Sequence, residues 1–232
     1  MSIKRILVTA GNTRVPIDRV RGIDNIFKGR TGVAIAKYFA TQGCKVTLLT
    51  SHPDLAKQCH PNLEVLSFSS FEQLRFKMRA LVQDLAFDAI IHSAAVSDYK
   101  VAGMYKQTGE AVEIGGHLLR ELSQLDSSGK IGSDHPELWM KMVPTVKIVD
   151  LIREPWGFKG ILVKFKLQVD MTDAELIEIA TKSMKHSSAD FIVANTLEGL
   201  TAKAFIISVK GGNPIRTSRD KLPENLYQEL GL

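Results

Sequence analysis

Arg5-Ile6-Leu7-Val8-Thr9-Ala10, stopped by Gly11, decides the fold. A short apolar run without alternation reads as a strand buried on both faces of a parallel sheet. Downstream comes a polar stretch, residues 11–31, then Gly32-Val33-Ala34-Ile35-Ala36-Lys37-Tyr38-Phe39-Ala40 with helical spacing, closed by Gly43. Lys45-Val46-Thr47-Leu48-Leu49 is a second strand. Ser69 or Ser70 is placed to cap an amphipathic helix over 71–85, with Glu72 and Gln73 in its first turn. Asp88-Ala89-Ile90-Ile91-His92-Ser93 is a third strand, running into Ala94-Ala95-Val96-Ser97-Asp98-Tyr99. Strands alternating with helices imply βαβ units, right-handed crossovers and a Rossmann-like, doubly wound, mostly parallel sheet with helices on both faces.

The middle of the chain is rich in Gly and Ser and weakly periodic. It reads as a flap or insertion over about 103–136, holding at most one helix (114–125). An extended segment (137–142), a helix from Pro144, a strand (160–166), a helix (172–186) and two strands (190–194, 202–209) follow. Gly211-Gly212 turns the chain back into 214–218 as a small C-terminal β-hairpin, and a helix over 223–230 ends it. One domain spanning 1–232 is expected.

With 232 residues, 44% hydrophobic and 24% charged, the chain has ample core for a globular α/β protein and is neither disordered nor fibrous. Thirty Lys and Arg against 25 acids give a net charge of +5. That modest excess suits small anionic ligands such as phosphates, and it is too weak, with too few basic runs, to point to nucleic acid. Cys44 and Cys59 form neither a zinc pattern nor a disulfide framework and read as structural. No stretch approaches the ~18 apolar residues of a membrane helix, and no signal peptide precedes Val8, so a cytoplasmic protein is expected.

The glycine after the first strand of such a sheet is where phosphates and nucleotides sit, beside a helix N-terminus. The loop here holds Gly11, Gly29 and Gly32 without G-x-G-x-x-G spacing. The second strand ends in Leu49-Thr50-Ser51, without the acid that binds a ribose hydroxyl. Lys28-Gly29-Arg30-Thr31 lacks the P-loop frame, and no Tyr-x-x-x-Lys follows the third strand. Residue by residue, the loop supports small-anion binding near 29–32, and a plain connecting loop is the competing reading.

Gly11-Asn12-Thr13-Arg14-Val15-Pro16-Ile17-Asp18, Val20-Arg21, Asn25 and Gly29-Arg30-Thr31-Gly32 resemble the opening signature of phosphopantothenoylcysteine synthetases. That family writes the region as G-x-T-[RK]-x-P-[IL]-D, V-R and N-x-S-S-G-x-x-G. Ala94-Ala95-Val96-Ser97-Asp98-Tyr99 resembles its A-A-V-[AS]-D-[YF] motif. Gly129-Lys130-Ile131, Met140-Lys141-Met142-Val143-Pro144, Phe165-Lys166-Leu167 and Val193-Ala194-Asn195 follow in family order. No segment resembles the flavin-dependent decarboxylase often fused to this domain, so a monofunctional, flavin-free form is expected.

The resemblance implies a ligase that joins 4′-phosphopantothenate to L-cysteine with a nucleoside triphosphate and Mg²⁺ in coenzyme A biosynthesis. The carboxylate would attack the α-phosphate, giving an acyl-nucleotide and pyrophosphate, and the cysteine amine would then displace the nucleotide. CTP is the expected nucleotide, with ATP open, since Lys141 to Pro144 and Phe165 to Leu167 lean toward the eukaryotic, ATP-using style. The resemblance gives Asn25 and Lys130 catalytic roles: Asn25 holds the acyl-nucleotide, and Lys130 sits on a flap beside the triphosphate. It gives Arg21, Asn25, Ala94, Ala95 and Asp98 to the acid substrate, with Arg21 reaching its phosphate from the neighbouring subunit of a homodimer. It gives Gly11, Gly29, Gly32, Phe165 and Asn195 to the nucleotide, and no residue to a metal.

Phe27 and Lys28 stand where the family has two serines, so a hydroxyl contact to the nucleotide is missing and Lys28 is a candidate replacement charge. His92 reads as structural. Two alternatives stand beside the ligase: a nicotinamide-dependent reductase, disfavoured by the missing fingerprint, and a non-catalytic nucleotide-binding homologue.

Overall fold

The computed structural model describes residues 3–57, 60–110, 112–114, 117–200 and 202–232. Cys59 lies outside them. The chain divides into two compact units, one formed by 1–13, 26–96 and 147–232, the other by 14–25 and 97–146.

The first unit is built on an eight-stranded sheet in the order Ile215–Thr217, Ala204–Ser208, Phe191–Thr196, Ile161–Gln168, Ala89–His92, Arg5–Ala10, Lys45–Thr50, Leu63–Ser67. The last six of these run parallel, and the first two form the C-terminal hairpin, paired antiparallel. Counted along the chain the parallel strands lie 6-5-4-1-2-3, so the order reverses between Arg5–Ala10 and Ala89–His92. That is the doubly wound, Rossmann-like arrangement. Leu63–Ser67 is an edge strand that the sequence reading passed over, because its Glu64 and Ser67 interrupt the apolar run.

Side chains alternate across the sheet, as a period of two requires. Ile6, Val8, Val46, Leu48, Ile91, Val163 and Val193 pack under the helices Arg30–Thr41 and Leu222–Leu230. Leu7, Leu49, Ile90, Leu162 and Ile192 face the helices Phe71–Asp84, Ile148–Leu151 and Asp173–His186. Ser70 caps the second helix by accepting from the Gln73 N–H. Thr172 and Glu175 form a full capping box at Asp173–His186. No helix among the described residues is long and apolar enough to cross a membrane.

The second unit carries a three-stranded antiparallel sheet, Leu122–Leu125, Tyr99–Gln107 and Trp139–Pro144, with the long strand in the middle. In the same unit the two-residue strands Val15–Pro16 and Gly22–Ile23 pair with each other, and Val112–Ile114 pairs with His117–Leu119.

Two expectations are corrected here. The described residues of 114–125 are not a helix: His117–Leu119 and Leu122–Leu125 are strands, the latter alternating exposed and half-buried positions. Gly115 and Gly116 also penalise a helix there, by about 1 kcal/mol each. Nor does a helix begin at Pro144. The strand runs through Pro144, which a ring without an N–H tolerates at a sheet edge, and the helix is the short Ile148–Leu151.

Candidate active site

The switch point between Arg5–Ala10 and Ala89–His92 is where ligands of doubly wound folds bind. Here the two chains stay paired beyond their strands. Ser93 N–H donates to the Thr9 carbonyl (3.2 Å), Ala95 N–H to the Gly11 carbonyl (2.8 Å), and Thr13 N–H to the Ala95 carbonyl (3.2 Å). Gly29 lies against this seam in the left-handed region (φ +81°), where a Cβ would sit 2.0 Å from the Gly11 nitrogen. A Cβ at Gly32 would come within 2.8 Å of the Ala10 Cβ and 3.1 Å of the Thr9 carbonyl oxygen. Only glycine lets the helix start this close to the strand ends.

The helix beginning at Arg30 has no side-chain cap at Gly29 and no acid in its first turn. Its first N–H groups and its dipole favour an anion. Gly11, the Gly29–Gly32 pair and the Ala94–Ala95 pair come from three separate segments of the sequence, and the structure brings them together.

Ser51 stands where a dinucleotide fold carries its ribose-binding acid. Its Oγ accepts from the Asn12 N–H (2.9 Å) and lies 3.1 Å from Asn12 Oδ1 and 2.9 Å from His52 Nδ1. This position therefore braces the first loop. Phe165 and Asn195 lie two and three strands from Gly11 in sheet order. Phe165 is half-buried and packs against the core under Arg30–Thr41, while Asn195 pairs with Leu167.

Behind the seam, Thr9, His92 and Lys164 form a polar row across three central strands, Thr9 paired with His92 and His92 with Lys164. Thr9 is fully buried and His92 is 7% exposed. Burial, reinforced by the Lys164 charge, pushes His92 down to about 4, so it is neutral at ordinary pH. Burial also lowers Lys164 to about 8, against a raising effect of Asp150. The Lys164 ammonium donates to the Ser183 carbonyl (3.1 Å) and Ser187 Oγ (2.9 Å), near the end of Asp173–His186. Cys44 is buried, and burial raises its thiol.

The second unit holds Arg21, Asn25, Asp98 and Lys130. Its organising group is Asp18, whose side chain is fully shielded from solvent while Arg21 is partly exposed. Asp18 accepts from the backbone N–H groups of Val20 (2.8 Å), Arg21 (2.7 Å) and Ile131 (3.1 Å), and from the Arg21 guanidinium at 3.0 and 2.6 Å. The Arg21 hydrogen bond, with these backbone donors, holds its carboxyl well below the usual carboxylate range. Arg21 also donates to the Ile131 carbonyl (2.8 Å), and the Arg19 N–H donates to the Gly129 carbonyl (3.2 Å). Lys130 is thus an exposed side chain on a loop pinned at both neighbours. Asn25 and Asp98 are exposed; the Asp98 carbonyl accepts from the Thr145 N–H (2.9 Å), and a strand, not a helix, follows it.

Sequence reasoning gave no job to Asp18, Ser51 or Thr9. Asp18 and Thr9 had a signal: a carboxylate ending the quoted P-[IL]-D motif, and a hydroxyl inside an otherwise apolar strand. Among the described residues no group of three or more His, Cys, Asp or Glu could hold a metal ion.

Known proteins resemble this chain in sequence and fold. The family described as DNA/pantothenate metabolism flavoprotein C-terminal domain matches residues 1–112. The coenzyme A biosynthesis bifunctional protein CoaBC of Thermococcus kodakarensis is 30% identical over 98% of this chain, which spans 51% of that relative's length. The crystal structure of the DNA/pantothenate metabolism flavoprotein from Streptococcus pneumoniae superposes with a TM-score of 0.81 at 28% identity, covering 99% of both chains. A Cab2 mutant crystallised with phosphopantothenate-cysteine shares the fold, with a TM-score of 0.74 at 17% identity.

Proposed function

We propose, for a chain that belongs to the phosphopantothenoylcysteine synthetase family, that it catalyses ATP- or CTP-driven condensation of 4′-phosphopantothenate with L-cysteine in the cytoplasm. The observation that carries this reading is the seam itself. The two segments that resemble the family's first and second motifs, around Gly11 and around Ala94, meet at the switch point with an uncapped helix N-terminus over them.

The chemistry asks for positioning rather than a protein nucleophile. A carboxylate cannot expel oxide, so its oxygen attacks the α-phosphorus and pyrophosphate leaves. The cysteine nitrogen then attacks the acyl carbon, nucleoside monophosphate leaves and the amine gives up a proton. Both steps bring anions together, which cations and fixed N–H groups make possible. In the first unit Gly11, Gly29 and Gly32 line the nucleotide phosphates, Phe165 and Asn195 attend the base or ribose, and Ala94 and Ala95 contact the acid. In the second unit Asn25 holds the acyl group, Arg21 and Asp98 serve the substrate, and Lys130 neutralises the triphosphate. Mg²⁺ arriving with the nucleotide would offset the charge of the triphosphate.

A homodimer belongs to the same proposal. Its support is the edge strand Trp139–Pro144, on which Trp139, Met140 and Met142 are exposed. Light scattering coupled to gel filtration reads it directly, and a strictly monomeric active enzyme rejects it.

The test of the activity is pyrophosphate release with 4′-phosphopantothenate, Mg²⁺ and either CTP or ATP, with and without L-cysteine. Release that requires the acid, with a cysteine adduct by mass, establishes the ligase and its nucleotide. Nucleotide binding without release with either triphosphate overturns it in favour of a binding protein.

A further inference from the structure

The three N–H groups of Ser93, Ala94 and Ala95 all point back into their own unit. Ser93 donates to the Thr9 carbonyl and Ala95 to the Gly11 carbonyl. Ala94, between them, donates to the Thr9 hydroxyl at 3.2 Å. The same hydroxyl lies 2.9 Å from His92 Nδ1, in a fully buried position. A threonine hydroxyl has one hydrogen and two acceptor lone pairs. With the Ala94 N–H on one lone pair, Nδ1 is an acceptor within reach of the hydroxyl hydrogen, and a hydroxyl donating there requires His92 neutral and protonated on Nε2. The depressed basicity of this buried ring agrees with a neutral imidazole.

We propose that Thr9 and His92 are positioning residues of the acid-substrate site. They commit the Ala94 amide internally, so that Ser93–Ala95 presents a ligand with the Ser93 and Ala94 carbonyls, the Ser93 hydroxyl and the alanine methyls, and with no backbone N–H donor. A carboxylate or phosphate gains no backbone donor from such a surface. A hydroxyl or amide N–H gains a carbonyl acceptor, and an aliphatic stem gains the methyls. The segment therefore receives the uncharged middle of an amide-linked acid, the stretch bearing hydroxyl, amide and methyl groups, and leaves the charged ends to other residues. This deepens the proposed ligase reading and rests on it for the identity of the acid.

The decisive pair is Thr9→Val against Thr9→Ser. Valine keeps the shape and removes the hydroxyl; serine keeps the hydroxyl. With valine the Ala94 N–H is released toward the ligand, and the seam loses its register lock. In pyrophosphate release, Thr9→Val is expected to raise KM for 4′-phosphopantothenate about tenfold while KM for the nucleotide changes less than about twofold. Thr9→Ser, which keeps the hydroxyl, is expected to restore the KM for the acid that Thr9→Val loses. A Thr9→Val enzyme that loses melting temperature but keeps its KM for the acid makes the pair merely structural and overturns the proposal.

Two readouts need no turnover. The Ala94 amide should exchange slowly in wild type and fast in Thr9→Val, and ¹⁵N spectra should show His92 Nδ1 unprotonated from pH 5.5 to 8. An unprotected Ala94 amide, or a protonated Nδ1, overturns the assignment whatever the activity. Intact protection with no pyrophosphate release by wild type rejects the ligase reading instead.

Discussion

The seam of the first unit and the Asp18 cluster of the second solve the same problem, fixing a loop, with opposite materials. The seam uses backbone pairing, two close-packed glycines and one buried neutral hydroxyl–imidazole pair, with no ion pair among its contacts. The Asp18 cluster uses a shielded carboxylate that gathers three backbone donors and one guanidinium. A seam made of sterics tolerates salt and pH above neutrality but no added atom. A cluster made of charge tolerates small changes of shape but not the loss of its ion.

Gly29→Ala should break the seam most severely. The new Cβ would overlap the Gly11 nitrogen at 2.0 Å, and the backbone is left-handed as well. A loss of about 4 kcal/mol or more, with no measurable activity, is expected. Gly43→Ala is the control: the same sign of φ (+88°), but nothing within 4 Å. It should cost only the conformational penalty of roughly 1–2 kcal/mol and leave the kinetics intact. Equal losses in urea unfolding of the two variants would show that the backbone angle, and not the close approach, governs the seam.

Acid should act on the first unit before the Asp18 cluster. His92 stays neutral in the folded protein down to about 4, against an ordinary value of 6.5. Between those values the unfolded chain binds a proton that the folded chain refuses. Stability therefore falls as pH drops through that window, by roughly 3 kcal/mol in all, and this contribution is flat above neutrality. The carboxyl of Asp18 is depressed instead, so its contribution persists through the same window and is lost only as pH falls toward its low folded value. A urea series from pH 7.5 to 4.5 should show the slope in wild type and lose it in His92→Asn. A slope that survives the substitution assigns the proton to another group.

How far each region was legible in the sequence follows from the same contrast. Apolar runs such as residues 6–10 and 89–91 announced the central strands because burial on both faces permits no other composition, and the glycines marked close approaches. What the sequence could not display was Thr9 pairing with a residue 83 positions away, or the Ser51 hydroxyl accepting from the Asn12 N–H, 39 positions away. Both are long-range hydrogen bonds with no local period. The second unit was the least legible. Its strand Trp139–Pro144 is exposed on both faces at five of six positions, so no alternation betrays it. Residues 114–125 read as a helix only because short strands give too few positions to separate a period of 2 from 3.6.

Asp18→Asn is a smaller perturbation than the glycine, confined to the second unit. The amide keeps one acceptor and loses the charge that holds Arg21, while the Ile131 N–H and its loop lose their anchor. Exchange of the Ile131 amide should accelerate about tenfold or more, and the amides of the first-unit seam should not change. Acceleration in both places would mean that the two regions do not open independently.

The smallest effect is expected where the family's serines are replaced. Lys28 is exposed one residue before Gly29, next to the uncapped start of Arg30–Thr41. A solvated lysine contributes a modest, salt-screened attraction, whereas helix N–H groups act on a phosphate without any side chain. Lys28→Ala should therefore raise the nucleotide KM by about two- to fivefold at low salt, with the difference fading near 0.5 M salt as screening shortens to a few ångströms. An unchanged KM at low salt would leave the phosphate site to the backbone alone and remove Lys28 from it. A loss far above that range would mean that the seam had shifted as well, which the Ala94 amide exchange in the same variant would reveal.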